Sequence, residues 1–144
     1  MISMQISKAA EILQERYQGD DVCFLGCSTD TRTLKDKELF IALRGENFNG
    51  HDYLDKAKTS GASAVLVEEK HDGPGSSTGS FSGPSIVVKN TRQAMGELAK
   101  NWRAGFSIPL VAITGSNGKT TVKEMLAGIL SCKAPVLATQ GNLN

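Results

Sequence analysis

The sequence predicts an α/β fold, on three observations. Short apolar runs rich in β-branched residues alternate with longer segments of helical spacing. One run, Leu39-Phe40-Ile41-Ala42-Leu43, is continuously apolar, the pattern of a strand buried on both faces. A glycine-rich turn, Thr114-Gly115-Ser116-Asn117-Gly118-Lys119-Thr120-Thr121, joins an apolar strand run to an amphipathic helical segment.

Taken in order, residues 5–15 read as a first helix, with Ser7 as its cap and Ala9, Ala10, Ile12 and Leu13 as a partial apolar face. Val22 to Gly26 is a short strand, and the strand at 39–43 ends at Arg44-Gly45. A helix begins near Asp52, carries Tyr53, Leu54 and Ala57 and stops at Gly61, before a strand at Ala62–Val67. In the stretch 72–85, eleven of fourteen residues are Gly, Ser or Pro. So little apolar area cannot offset the entropy of ordering, which makes this stretch a mobile loop. Ile86-Val87-Val88 is a strand. Asn90 then caps a helix running to about Ala104, with Gln93 at the reciprocal capping position and a core-facing stripe of Ala94, Met95, Leu98, Ala99 and Trp102. Leu110–Thr114 is expected as a strand and 119–131 as a helix with Val122, Met125, Leu126, Ile129 and Leu130 on one face. Pro135–Ala138 opens a last strand. A first domain reads as complete and a second as cut off after one strand–helix–strand unit, with the boundary between about 85 and 108.

Composition excludes several classes. The 144 residues hold sixteen Lys and Arg against fifteen Asp and Glu, a net charge of +1, without the basic surplus of a nucleic-acid binder. No run approaches the ~20 apolar residues of a membrane span. The start, Met1 to Lys8, lacks the pattern of a signal peptide. Three cysteines, Cys23, Cys27 and Cys132, match no disulfide framework, so a cytoplasmic home is expected. They read as small buried hydrophobes rather than zinc ligands, because His51 and His71 do not stand at finger spacing.

The turn at 114–121 carries the strongest chemistry. Glycines let the backbone approach an anion closely. Its successive N–H groups and the N-terminus of the following helix then favour phosphate. Gly115, Ser116, Asn117, Gly118, Lys119, Thr120 and Thr121 form the expected nucleotide-phosphate loop. Lys119 is placed as the point charge on the β/γ phosphates and Thr120 as a hydroxyl ligand for Mg²⁺. The general pattern asks for a glycine five residues before Gly118, where this chain has Ile113, so the loop is a shortened form.

This T-G-x-N-G-K-T form resembles the ATP loop of the Mur ligases, which build the peptide stem of bacterial peptidoglycan. Four further segments resemble the uridine-nucleotide-binding domain of the same family: Ser28-Thr29-Asp30-Thr31-Arg32, Leu39 to Glu46, Asn49-Gly50-His51-Asp52-Tyr53 and Gly61-Ala62-Ser63-Ala64. Val122-Lys123-Glu124-Met125 and Gly141-Asn142-Leu143-Asn144 are similar to the branch that adds the terminal dipeptide. The sibling branch that adds the third stem residue is the alternative, and a non-catalytic UDP-peptide-binding module is another.

The resemblance implies a UDP-MurNAc-peptide-binding domain at 1–88, and a linker helix with the start of an ATP-binding domain at 89–144. It implies ATP and Mg²⁺, with UDP-MurNAc-tripeptide and D-alanyl-D-alanine as partners. Lys119 and Thr120 would be the catalytic residues of an acyl-phosphate ligation. The remaining machinery would lie beyond Asn144, so a fragment inactive by itself is expected. Thr31, Arg32, Asn49, Gly50, His51 and Asp52 are candidates for the UDP end, and Asn142 and Asn144 for further substrate contacts. Thr31 and Asn49 offer neutral hydrogen-bonding groups, and Arg32 a planar cation for pyrophosphate. Structural roles stand beside these: an Asp30–Arg32 pair, an Asn49-Gly50 turn, and His51 orienting a helix start.

Overall fold

The computed structural model describes residues 3–46, 48–69 and 81–139. The chain divides into two units, Met1–Phe106 and Ser107–Asn144. In chain order the first contains β1 (Met4–Gln5), α1 (Ile6–Leu13), β2 (Tyr17–Gln18), β3 (Cys23–Phe24), β4 (Cys27–Ser28) and β5 (Leu39–Ile41). A 3₁₀ turn follows (Gly50–Tyr53), then α2 (Leu54–Thr59), β6 (Ala64–Glu68), β7 (Ser85–Val88) and α3 (Thr91–Ala104). The main sheet is ordered β2-β7-β6-β5-β4. Its last four strands are parallel and β2 is an antiparallel edge.

Alternation along the parallel strands sorts the core into two layers. Leu39, Ile41, Ala64, Leu66, Ile86 and Val88 face α1 and α3, meeting Ile6, Ala9, Ala10, Ala94 and Leu98. Phe40, Ala42 and Val65 face the other way, onto Leu54 and Ala57 of α2. All three residues of β5 are buried, because each of its faces is covered by a helix.

The helix ends depart from expectation at one point. Ser7 lies inside α1 and does not cap it; the preceding Gln5 makes no side-chain cap either. Asp21, brought in by the chain before β3, accepts from the Ser7 N–H (3.0 Å) and hydroxyl (2.9 Å). A carboxylate at this end satisfies free N–H groups and complements the helix dipole. Asn90 does cap α3, its side chain accepting from Gln93 N–H. This helix, expected in the linker after residue 88, packs on α1 and belongs to the first unit, because Ala94 and Leu98 are buried in its core. The cysteines also depart from expectation: all three are exposed free thiols. Cys27 stands on the edge strand and lines a small apolar recess with Met95 and Trp102. That shelter, with Glu38 nearby, raises its thiol to about 11. Most of the expected loop at 72–85 lies outside the described residues; Phe81 packs against the α2 layer.

The second unit contains α4 (Lys119–Ser131). Neither Leu110–Thr114 nor Pro135–Ala138 forms a strand among the described residues. Strand structure requires a hydrogen-bonded neighbour, and here the two segments do not pair. The apolar face of α4 is exposed at Val122, Met125, Ile129 and Leu130, and none of its residues is buried. Among the described residues, no helix is long and apolar enough to cross a membrane.

Candidate functional site

Two sites stand in the two units. The first is a cleft of about 520 Å³ lined by Thr29, Asp30, Thr31, Arg32, Phe40, Phe48, Tyr53 and Lys56. It lies beyond the carboxyl ends of β4 and β5, where parallel sheets place their ligand sites because the connecting loops gather there. The chain leaving β4 turns at once: Asp30 accepts from the Arg32 N–H at 2.9 Å. The same carboxylate takes the Arg32 guanidinium, Nε at 3.0 Å and Nη2 at 2.6 Å. This hydrogen bonding holds Asp30 down at about 2. Arg32 is therefore pre-oriented at the rim while its side chain stays 80% exposed.

The chain leaving β5 supplies an aromatic wall. Gly45 N–H donates to Phe48 O at 2.8 Å, closing a short loop, and the Phe48 and Tyr53 rings stack with centroids 5.4 Å apart. Lys56 follows Tyr53 by three positions, which sets the two side chains on one side of the helical turn. Phe40, Phe48, Tyr53 and Lys56 were not among the sequence candidates. The available signals were the family-like segments holding Phe40 and Tyr53 and the i, i+3 spacing of an aromatic and a cation at Tyr53 and Lys56.

Of the six sequence candidates for this end, Thr31 and Arg32 line the cleft. Asn49, Gly50, His51 and Asp52 do not; they form the turn between Phe48 and Tyr53. Gly50 is buried, with its N–H on Leu43 O at 2.8 Å, and an added Cβ would stand 2.8 Å from Leu43 N and 2.9 Å from Ala42 Cα. His51 is fully buried, and its ring nitrogens meet Asn49 and the Glu68 backbone. Gly50 and His51 are buried behind the cleft, with the Gly50 N–H and both His51 ring nitrogens bonded inside the protein. Asn142 and Asn144 lie outside the described residues.

The second site is the glycine-rich turn. Gly115 and Gly118 have φ of +148° and +78°, which side-chain-bearing residues rarely adopt. Gly118 precedes α4 without a side-chain cap, so the first N–H groups of the helix face the turn. The Lys119 ammonium folds back across it, donating to Gly115 O at 2.7 Å. Lys119, Thr120 and Lys123 line a recess of about 190 Å³ with Val111, Ala112, Ile113 and Thr139. Lys123, one helical turn after Lys119, donates to Thr139 O at 2.6 Å and pairs with Glu124 at 2.9 Å. The cradle thus has the backbone donors and cation that a polyphosphate needs. Among the described residues no group of three or more His, Cys, Asp or Glu could hold a metal ion. A Mg²⁺ that arrives with phosphate oxygens and its own waters needs fewer protein ligands, and the Thr120 hydroxyl is a suitable hard donor.

The fold and the two sites define a class. The Mur ligase family, catalytic domain, matches residues 24–103, and the Mur ligase middle domain matches residues 113–144. The chain belongs to the Mur ligase family. Within it, the chain is 45% identical to the UDP-N-acetylmuramoyl-tripeptide–D-alanyl-D-alanine ligase of Escherichia coli K12 over 144 residues, covering all of this chain and 30% of that protein. It is similar to MurF of Acinetobacter baumannii, with a TM-score of 0.85 and 32% identity over the whole chain and 31% of that structure. A third similarity is to MurF ligase from Thermotoga maritima in complex with ADP, with a TM-score of 0.66 and 32% identity over 82% of this chain and 26% of that one. The chain thus spans about a third of the length of the relatives it matches.

Proposed function

We propose that the chain supplies the uridine-nucleotide cleft and the ATP loop of a ligase that joins D-alanyl-D-alanine to UDP-MurNAc-tripeptide. The observation that carries this reading is the turn at 114–121, where two left-handed glycines, a helix N-terminus and Lys119 converge. In the reaction, the tripeptide carboxylate attacks the γ-phosphorus of ATP and releases ADP. The dipeptide amine then displaces phosphate from the acyl phosphate and forms the amide. Lys119 leaves its carbonyl partners for the β/γ phosphates, and the backbone N–H groups of 115–118 hold the phosphoryl oxygens. Both act by positioning and charge neutralisation rather than by bonding to the reacting atoms. Mg²⁺ bound with ATP would take Thr120 Oγ as a ligand and neutralise developing phosphate charge.

In the first unit the cleft suits the other substrate. The Phe48–Tyr53 stack offers an apolar face to a base or sugar, while Arg32 and Lys56 offer two cations to a diphosphate. Nucleotide substrates of this kind support a reaction in the bacterial cytoplasm. Separate calorimetric titrations of MgATP and UDP-MurNAc-tripeptide test the reading. Each should bind without the other. Lys56→Ala should weaken only the uridine ligand and Lys119→Ala only ATP. Both substrates weakened equally by both variants would overturn the two-site assignment.

A further inference from the structure

The turn between Phe48 and Tyr53 is held by a hydrogen-bond network centred on a buried imidazole. His51 is 0% exposed. Its Nε2 accepts from the Glu68 N–H at 2.9 Å. An atom that accepts there carries no proton, so the proton sits on Nδ1, which donates to Asn49 Oδ1 at 2.8 Å. The Asn49 amide in turn donates to Asp52 at 3.2 Å. Behind Glu68 the network continues. Its carboxylate accepts from Thr91 N–H at 3.1 Å and meets Arg44 Nε at 3.2 Å, and the Thr91 hydroxyl lies 2.9 Å from Ala42 O.

We propose that His51 is a positioning residue: only as the neutral, Nδ1-protonated imidazole does it lock the Asn49–Tyr53 turn that presents Phe48 and Tyr53 to the ligand, which makes uridine-ligand binding fall with acid. This rests on the uridine reading of the cleft. A second ring proton would set Nε2–H against the Glu68 N–H, two donors facing each other, and the ring would have to leave its seat. The charged groups around the imidazole are Arg44, Glu68 and Asp52. Burial and Arg44 disfavour the imidazolium, Glu68 and Asp52 favour it, and the balance lowers the His51 pKa from its ordinary 6.5. The neutral state therefore holds at neutral pH, and the lock opens only in acid.

The test is UDP-MurNAc-tripeptide binding between pH 7.5 and 5.0 to wild type, His51→Gln and His51→Leu. Gln can accept from Glu68 N–H and donate to Asn49 without titrating. Wild type should lose affinity toward the acid end of this range, as the competent fraction falls. His51→Gln should bind at pH 7.5 within about threefold of wild type and show a flat profile. His51→Leu, which cannot accept from the Glu68 N–H, should bind more weakly at every pH. In the ligand-free protein, the Phe48 and Tyr53 ring resonances should shift with the His51 titration in wild type and stay fixed in His51→Gln. Equal pH slopes in wild type and His51→Gln would overturn the proposal while leaving the cleft assignment intact. Absence of binding by wild type at any pH would overturn the cleft assignment and this proposal with it.

Discussion

The two units show opposite ways of holding a functional turn. In the first, the turn at Asn49–Tyr53 is fixed from behind by groups packed inside the unit: Gly50 against Ala42 and Leu43 as the chain leaves β5, His51 against β6, and Thr91 and Glu68 beneath them. In the second, the turn at 115–118 is fixed by its own backbone, with two left-handed glycines and one lysine donating to it, on a helix that buries none of its residues. A phosphate cradle is mostly main chain and is written locally. A cleft for a base and sugar is made of side chains, whose positions depend on what is packed behind them.

The sharpest break in this comparison is Phe40→Ala. Phe40 is 1% exposed, packs on α2 and lines the cleft. Its removal should cost about 3–5 kcal/mol of first-unit stability, measured by denaturant unfolding followed at the first-unit resonances. Gly50→Ala should come next, at about 1–3 kcal/mol from overpacking, since the Ala42–Leu43 backbone would have to yield to the new Cβ. Uridine-ligand affinity should fall with it, while ATP affinity holds.

Lys119→Ala sharpens the other side. ATP binding should weaken by about 1.5–3 kcal/mol, the cost of one charge-assisted contact, read by calorimetry. The α4 helix should persist, because Ala is a strong helix former. Acid gives a smaller effect with a definite sign. His51 has its folded pKa lowered, so its contribution to stability is present above the ordinary 6.5 and is lost as pH falls through the depressed value. Thermal unfolding of wild type should decline faster than that of His51→Gln in this window. The smallest effect belongs to Met125→Ala. Its side chain is 62% exposed, and the change should stay within about 0.5 kcal/mol. A cost near that of Phe40→Ala would show that the α4 face is packed in solution.

Much of the fold, and the glycine turn of the second unit, could be read directly from residues. Continuous apolar character at 39–43 marked a strand covered on both faces, and the stripe from Ala94 to Leu98 marked a core helix. Gly115, Gly118 and Lys119 marked a glycine turn opening a helix because main-chain conformation is set locally; the phosphate it is proposed to hold follows from that conformation and one cation. The strands expected at 110–114 and 135–138 were not determined in this way, since a strand exists only through its neighbour. Nor was the first cap: Asp21, fourteen residues from Ser7, does the work expected of a local hydroxyl.

The tertiary structure alone decided what Asn49 to Tyr53 does. In sequence Asn49, Gly50, His51 and Asp52 are polar or small residues near a glycine, equally fit to touch a ligand or to make a turn. Folding placed β6 and the start of α3 behind them, so that Gly50 and His51 face inward and Phe48, Tyr53 and Lys56 remain to line the cleft. The physical reason is desolvation. A buried imidazole and a backbone N–H must find partners within the protein, and those partners come from residues distant in the chain. Local sequence sets which conformations a turn can adopt, whereas the side of the turn that reaches solvent is set by the elements packed against the other.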